Sequence, residues 1–306
     1  MVAPSGEQYE ISGGGYRAVV TECGAGLRVL EQDGRPLVLG YAEEEQAPAG
    51  RGQLLAPWPN RIRDGAYDFE GRHHQLPLSE PSRGNASHGL VRWASWTLEE
   101  HTAQSVSQVY RLMSQSGYPW AVDLHAIYDV SAEGLTVTFT ATNLSSEPAP
   151  YALGAHPYLV AGPGPVDGWE LTLPAATRLV TDDRMIPTGR EDVRDTPFDF
   201  RAPRLIGATQ LDTAFTDLVR EPSGRVEVLL RDPAADQGVV LWMDAKHSWA
   251  QAFTGDTLSV DARAAVAVEP MTAPPNAFVT GEDVVVLAPA GQEGDEHSAS
   301  WGVRAL

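Results

Sequence analysis

Apolar and polar residues alternate along several short segments of the chain. In the clearest segment, Leu135, Val137, Phe139 and Ala141 would share one face of a strand, and threonines would occupy the other. A repeat of two residues is typical of a strand that is buried on one side. Comparable segments predict further strands at 16–21, 66–70, 107–112, 124–130, 226–230, 239–243, 264–268 and 284–287.

Turn-forming residue pairs separate these segments. The pairs are Asp33-Gly34, Asp64-Gly65, Glu70-Gly71, Glu133-Gly134 and Ser223-Gly224. The 29 glycines and 23 prolines are spread along the chain, and no long window keeps a helical apolar period. We also find no internal repeat and no linker. The pattern therefore predicts one all-β domain over residues 1–306, a large antiparallel β-sandwich whose concave face and end loops would hold a ligand.

Net charge and cysteine content limit the partners, substrates and cellular compartment that we expect for this protein. The sequence has 22 Lys and Arg against 41 Asp and Glu, which gives a formal net charge of −19. Such a surface repels phosphate backbones and anionic lipids, which argues against nucleic-acid and membrane partners. It also disfavours strongly anionic substrates unless a local basic pocket overrides it. The single cysteine, Cys23, excludes an intrachain disulfide, and we predict a cytoplasmic protein because no secretory signal or long apolar run occurs.

Motifs for nucleotides and metals are missing from the sequence. The glycine run at 13–15 precedes a strand pattern rather than a helix, and no phosphate-loop motif occurs. There is no His-Glu-x-x-His or Cys-x-x-Cys motif, and the neighbouring His73 and His74 would face opposite sides of a strand. We therefore predict that the protein uses neither a cofactor nor a metal.

Polar residues with binding potential interrupt the structural pattern at two places in the first third of the chain. Asn60 and Arg61 lie in a proline-stiffened loop beside Trp58, whose flat ring could face a sugar. His88 precedes a glycine and could hydrogen-bond a ligand hydroxyl through either ring nitrogen. Simpler interpretations remain open here: a proline-rich surface turn with a solvated arginine, and an exposed or structural histidine.

Two further places carry residues suited to acid–base chemistry. His156 lies in an apolar run just before a proline, and an imidazole exchanges protons near neutral pH. Glu269 ends a predicted apolar strand, where burial would raise its pKa toward the range of a useful base. A satisfied core histidine and a solvent-facing glutamate are the alternatives. Asp212 is a weaker candidate, because its segment carries no comparable pattern.

Taken in order, these segments resemble the aldose 1-epimerase family. That family has an Asn-Arg-Ile element, a His-Gly element, a central histidine followed by an aromatic residue, an aspartate before an aromatic residue, and a terminal glutamate loop. The segments that look like them are Asn60-Arg61-Ile62, His88-Gly89, His156-Pro157-Tyr158, Asp212, and Glu269 with its proline-rich loop to Phe278. Each motif is weak alone, but their common order is specific, and the resemblance spans roughly residues 10 to 305.

The resemblance implies a galactose mutarotase-like supersandwich fold and an isomerase that interconverts the α and β anomers of an aldohexose. It implies Glu269 as the general base and His156 as the general acid. The residues that would bind the sugar are Asn60, Arg61, His88 and Asp212. The partner would be a monosaccharide, bound by a monomer or a homodimer without cofactor or metal.

The sequence also departs from the pattern of galactose-specific members, and other functions stay open. Such members carry Asn before the central histidine and Glu-Thr-Gln at the glutamate loop, whereas this chain has Ala155 and Pro270, which puts galactose preference in doubt. A hexose-6-phosphate 1-epimerase on the same fold would need a basic cluster, for which the candidates are Arg61, Arg63 and Arg83. A glycoside hydrolase could use Asp212 with Glu269, and a non-catalytic sugar-binding homologue would need no acid–base pair.

Overall fold

Two large antiparallel sheets dominate residues 2–306, the part of the chain that this computed structural model describes. Strands are numbered in chain order. The nine-stranded sheet consists, in spatial order, of β10 (Thr97–His101), β11 (Ser105–Leu112), β12 (Val122–Ser131), β13 (Gly134–Asn143), β27 (Glu296–Ala305), β23 (Gln237–Met243), β22 (Val226–Asp232), β17 (Glu170–Thr172) and β20 (Arg204–Leu205). The eight-stranded sheet consists of β19 (Pro187–Asp192), β18 (Ala175–Thr181), β21 (Asp212–Leu218), β24 (Trp249–Phe253), β25 (Val266–Met271), β15 (Gly154–Ala155) and β5 (Leu54–Leu55), with β16 (Tyr158–Leu159) also paired to β25.

Smaller sheets and short helical turns complete the fold. A four-stranded sheet contains β1 (Gln8–Gly13), β2 (Tyr16–Thr21), β3 (Leu27–Gln32) and β4 (Arg35–Pro36). The two-stranded ribbons are β6 (Arg61–Arg63) with β9 (Asn85–Ser87), β7 (Ala66–Phe69) with β8 (Arg72–Gln75), and β14 (Ala149–Tyr151) with β26 (Val285–Leu287). The helical segments are α1 (Ala277–Thr280) and two 3₁₀ turns, Pro48–Gly50 and Val166–Gly168. Within residues 2–306, no helix has the length and apolar character that crossing a bilayer requires.

The alternating segments place their apolar residues in one continuous core. In β13 the four apolar residues at 135, 137, 139 and 141 are fully buried, while the threonines between them are partly exposed. Register with β12 sets Ala126 opposite Phe139 and Tyr128 opposite Val137, so both strands contribute the same face. This core also includes Phe215 and Val268 from the eight-stranded sheet. The prediction of an all-β antiparallel sandwich is therefore confirmed.

The predicted strand at 264–268 is displaced from the observed one. β25 runs from Val266 to Met271, so Glu269 lies inside the strand and does not end it. The strand continues past Pro270 because Met271 still pairs with Trp249 on one side and with Gly154 on the other. The remaining predicted strands begin or end within a few residues of the observed ones, and 16–21 matches β2.

Candidate active site

Two ionisable side chains that are far apart in the sequence meet beside the eight-stranded sheet. Glu269 lies in β25, and His156 directly follows β15, the strand next to it. The His156 Nε2 atom is 3.3 Å from Glu269 Oε1, and the two side chains are only 7% and 3% exposed. The structure thus brings together the two residues that the sequence suggested as an acid–base pair.

Backbone and ring contacts hold His156 in place. Its N–H donates to the carbonyl of Gln53 at 3.0 Å, and its own carbonyl accepts from the N–H of Gly52 at 3.0 Å. The imidazole stacks on the ring of Tyr158, with centroids 5.0 Å apart and an interplanar angle of 7°. The Tyr158 hydroxyl in turn donates to the carbonyl of Ala49 at 3.0 Å. These contacts fix the ring plane of His156, which orients Nε2 toward Glu269.

Burial acts on the two members of the pair in opposite directions. It raises the pKa of Glu269 well above its usual value, and the nearby negative charge of Asp212 raises it further. It lowers the pKa of His156, and the positive charge of Arg92 lowers it further. Since both shifts disfavour a charged group, the proton that the pair shares rests more easily on the carboxyl than on the imidazole.

A row of polar side chains crosses three neighbouring strands of the same sheet. Gln251 on β24 stands opposite Glu269 in register and donates from Nε2 to Asp212 Oδ1 on β21, at 2.7 Å. Its Oε1 and the Oε2 of Glu269 are buried and have no hydrogen-bond partner among residues 2–306. Asp212 is therefore linked to the pair through Gln251. The sequence analysis missed Gln251, although a polar residue between two alanines in an apolar strand is a usable signal.

Asn60 and His88 flank the β6–β9 ribbon, and His88 lies beside the pair. The N–H of Asn60 donates to His88 Nδ1 at 3.2 Å, and the His88 N–H donates to the Asn60 carbonyl at 2.7 Å. Both residues have left-handed backbone conformations, with φ of 55° and 59°. The His88 and His156 rings are 5.6 Å apart. Burial and the charge of Arg92 lower the pKa of His88 well below its usual value, so neutral His88 keeps its hydrogen on Nε2 and can donate it.

Arg61 is held by a carboxylate that the sequence did not predict. Its Nε and Nη2 donate to the two oxygens of Glu80 at 2.8 and 3.1 Å, and its Nη1 donates to Asn60 Oδ1 at 3.3 Å. Arg83 donates to Glu80 at 2.8 Å as well. Burial opposes the charge of Glu80, but the bonds from Arg61 and Arg83 outweigh it and lower the pKa to about 2. Glu80 lies in a loop with no motif, so sequence patterns could not identify it.

The loop that follows β25 is hydrogen-bonded to β6 through Asn276. Asn276 has a left-handed conformation with φ of 67° and donates its N–H to the Arg61 carbonyl at 2.6 Å. Its Oδ1 accepts from the N–H of Arg63 at 3.0 Å. Through these bonds, β25 with Glu269 and β6 with Arg61 are positioned relative to each other. The role of Asn276 was not anticipated, although it stands in the proline-rich loop that the sequence analysis singled out.

Trp58 does not serve as the sugar-facing ring that its loop suggested. It is 2% exposed and packs on Phe278, with ring centroids 5.7 Å apart. Phe278 also packs on Tyr67 at 5.1 Å, so the three rings form part of the hydrophobic core. The prediction of an exposed face on Trp58 is wrong, because Phe278 from the distant glutamate loop covers that face.

Metal-ligand geometry is not found in the described part of the chain. Across residues 2–306, no three side chains of His, Cys, Asp or Glu converge as a metal site would require. His156 and Glu269 are in contact, but they are only two possible ligands. The ring of His88 lies nearby, and its Nδ1 already accepts a hydrogen bond from Asn60. The expectation that no cofactor or metal is used stays a prediction.

Comparison with known proteins gives a family match over most of the chain. The sequence pattern described as "Aldose 1-epimerase" matches residues 7–297. The uncharacterized protein YihR of Escherichia coli K12 is 35% identical over 284 residues, which cover 92% of this chain and 89% of YihR. Galactose mutarotase of Homo sapiens is 30% identical over 193 residues, 59% of this chain and 55% of that protein. The crystal structure of the GalM/aldose epimerase homologue from C. elegans has a TM-score of 0.86 at 21% identity, covers 98% of each chain, and shows the likeness in fold.

Proposed function

Because the chain belongs to the aldose 1-epimerase family and is therefore an isomerase, we propose that it interconverts the α and β anomers of an aldohexose. The observation that carries this proposal is the buried contact of 3.3 Å between His156 Nε2 and Glu269 Oε1. Binding a sugar requires no such pair, whereas moving one proton off a hydroxyl and another onto a ring oxygen requires both an acid and a base. Cytoplasmic location, a monomeric or homodimeric state and independence of cofactors are part of the same proposal.

Ring opening uses the pair in one direction. The Glu269 carboxylate takes the proton of the anomeric O1 hydroxyl, and the protonated His156 gives its proton to the ring oxygen O5. The C1–O5 bond breaks as C1–O1 becomes a carbonyl, so the product is the open aldehyde. Rotation about C1–C2 then presents the other face of C1, and reclosure with the proton transfers reversed gives the other anomer.

The pair returns to its starting state in each turnover. Before ring opening it is Glu269 carboxylate with His156 imidazolium, and after ring opening it is the uncharged acid with the neutral imidazole. Burial raises the pKa of Glu269 and lowers that of His156, and both shifts favour the uncharged state. The charged pair is therefore the less populated form of the empty site, and transfer of the shared proton from Glu269 to His156 is part of the activation barrier.

Sugar binding is assigned to the remaining predicted residues. His88 offers an Nε2–H donor, because its Nδ1 accepts from Asn60. Arg61 offers donors whose direction Glu80 fixes, and Asp212 offers an acceptor that Gln251 holds. Fixed groups of this kind lower the barrier by orienting the reacting atoms before proton transfer begins.

Polarimetry on freshly dissolved α-D-glucose and α-D-galactose tests the proposal. We expect wild-type protein to accelerate equilibration, and we expect Glu269→Gln and His156→Asn each to lower the rate by about 10²–10⁴-fold. A matched control is the exposed pair His125 and Glu99, 2.9 Å apart on the nine-stranded sheet, changed to Asn and Gln. These control variants should keep the wild-type rate.

Each failure has a separate meaning. If wild-type protein accelerates no aldohexose, the proposed function is wrong, and release of a chromogenic leaving group would point to the hydrolase with Asp212 and Glu269. Sugar binding without acceleration would point to a non-catalytic homologue. If Glu269→Gln and His156→Asn are folded by circular dichroism and equilibrate glucose as fast as wild type, the assigned roles are wrong.

A further inference from the structure

Arg51 is a buried arginine in the segment between the 3₁₀ turn Pro48–Gly50 and strand β5. Its side chain is 5% exposed, and its Nη2 donates to Asp261 Oδ2 at 2.8 Å. Its Nη1 donates to the carbonyl of Gly40 at 3.2 Å, and its Nε is buried without a hydrogen-bond partner among residues 2–306. Burying a guanidinium costs free energy even when a carboxylate compensates the charge. Stability of the fold therefore does not by itself explain why an arginine stands here.

The arginines of the predicted basic cluster differ from Arg51 in where they lie. Each is paired with a carboxylate, in ion pairs that join Arg61 and Arg83 to Glu80 and Arg63 to Asp182. The predicted cluster is therefore offset by two carboxylates. These ion pairs lie around the β6–β9 ribbon, whereas Arg51 belongs to the segment that contacts His156.

Both neighbours of Arg51 in the sequence lie against His156. A Cβ on Gly50 would lie 3.2 Å from Cδ2 of the His156 ring, and the N–H of Gly52 donates to the His156 carbonyl at 3.0 Å. The guanidinium of Arg51 itself lies over the ring of Tyr158, with Cζ 5.7 Å from the ring centroid. This distance is within the range of a cation–π interaction. The backbone of this segment therefore contacts the histidine, and the charge at its centre contacts the ring that stacks on the histidine.

Tyr158 connects the guanidinium to the imidazole. Its side chain is buried, and its ring stacks on the ring of His156 with an interplanar angle of 7°. A third ring, that of Phe253, packs on Tyr158 in a T-shaped arrangement with centroids 6.4 Å apart. A buried ring that contacts both a fixed cation and an aromatic neighbour cannot easily turn, so it holds the stacked imidazole in one plane.

Asp261 links this arrangement to the strand of the second ionisable residue. It lies in the loop between β24 and β25, and β25 carries Glu269. The ion pair with Arg51 therefore joins the loop that leads into β25 to the segment that contacts His156. Because the two ionisable side chains of the pair come from these two parts of the chain, this ion pair helps to set their separation of 3.3 Å.

We infer that Arg51 is a positioning residue for the proposed reaction and acts on His156 through the ring of Tyr158. This inference rests on the proposed function and deepens it by naming a residue that supports the acid. Displacing a reacting group by about 1 Å can cost about 10²-fold in rate. Since Arg51 acts on the imidazole and not on the sugar, its loss should lower kcat and leave KM near the wild-type value.

Polarimetry over a range of sugar concentrations tests the inference, on whichever of glucose and galactose the wild-type protein equilibrates. Arg51→Met removes the charge but keeps a long side chain, and we expect it to lower kcat by about 10- to 100-fold. Arg51→Lys keeps a cation near Asp261 and the ring, so it should recover part of this loss. Asp261→Asn leaves the guanidinium without its carboxylate and should lower kcat in the same direction.

A double-mutant cycle shows whether Arg51 acts through the ring. Tyr158→Leu removes the aromatic ring and should itself lower kcat. In that background Arg51→Met should cause no further loss, because the effects of residues that act through one contact are not additive. If the arginine only stabilised the fold, its replacement would have the same effect in both backgrounds.

The matched control is Arg178 on β18, whose guanidinium lies over the ring of Phe198 at 3.9 Å and pairs with Glu191. Arg178→Met removes the same kind of contact and should keep the wild-type kcat. The inference is overturned if folded Arg51→Met keeps the wild-type kcat, raises only KM, or has the same effect in both backgrounds. If Arg51→Met does not fold, an unchanged kcat in Asp261→Asn overturns the inference. If wild-type protein accelerates no sugar, the proposed function fails and the inference fails with it.

Discussion

Replacing Glu269 by glutamine separates what this residue does for catalysis from what it costs the fold. The substitution keeps the side-chain shape inside β25, where Glu269 is 2% exposed and stands opposite Gln251. It removes the proton acceptor that lies 3.3 Å from His156 Nε2, and it removes a carboxyl whose ionised form is destabilised by burial and by Asp212. We therefore expect one change to lower activity and raise stability.

The loss of rate and the gain in stability can each be estimated. Loss of a positioned base costs about 10²–10⁴-fold in rate, or about 3–5 kcal/mol of activation free energy. The pKa of Glu269 is raised above its ordinary 4.5 in the folded protein, so above pH 4.5 the folded state holds a proton that the unfolded state has released. The contribution of Glu269 to the free energy of unfolding then falls as pH rises, by about 1.4 kcal/mol for each unit by which its pKa is raised, and the variant lacks this contribution.

Urea unfolding at pH 5.5, 7.0 and 8.5 measures the stability difference, and polarimetry at the same pH values measures activity. The variant should gain stability relative to wild type as pH rises. Glu227→Gln is the control, since Glu227 pairs with Arg304 at 2.9 Å on the other sheet and should show no such gain. The reasoning is refuted if Glu269→Gln loses stability relative to wild type between pH 5.5 and 8.5, or if it keeps full activity.

Three further substitutions, one of them with a matched control, test the surroundings of the pair. Gly50→Ala and Gly71→Ala, at φ of +80° and +73°, should each cost about 1–2 kcal/mol in urea unfolding. Only Gly50→Ala should lower kcat, because its Cβ would lie 3.2 Å from Cδ2 of His156, whereas Gly71 faces open space. Gln251→Glu adds a carboxylate beside Glu269, so the acid limb of the pH–rate profile should move to higher pH; an unmoved limb would contradict this. Glu80→Gln should raise KM for the sugar, because Arg61 loses its bidentate partner. The variant should also be less stable than wild type, by the full amount above pH 4.5 and by less as pH falls toward 2, where Glu80 becomes protonated in the folded protein. Acid unfolding curves of the two proteins would show this difference.

Alternation predicts strands well where only one face is buried. Val137 and Phe139 face the core while the threonines between them do not, so the sequence carries a clear repeat in β13. In β25 every residue from 266 to 271 is buried, so both faces read as apolar and no repeat marks where the strand begins or ends. Its bounds are set instead by pairing with β24 and β15, which sequence patterns do not reveal.

The site could be predicted as far as its residues belong to ordered motifs. His156 and Glu269 stand in such motifs, and the fold places them in contact. Glu80 could not be found in this way, because only its ion pair with Arg61, which forms in the folded chain, identifies it as part of the site. Trp58 was misjudged because the ring that packs on it belongs to Phe278, which is distant in the sequence.

Because β27 lies in the middle of the nine-stranded sheet, that sheet can be completed only late in the synthesis of the chain. Val303 pairs with Leu135 on one side and with Leu241 on the other, so this strand fills the gap between β13 and β23. Until residue 305 has left the ribosome, those two strands present open edges that could pair with other chains. A nascent chain that stalls before this strand would therefore depend on a holding chaperone, however complete its acid–base pair already is.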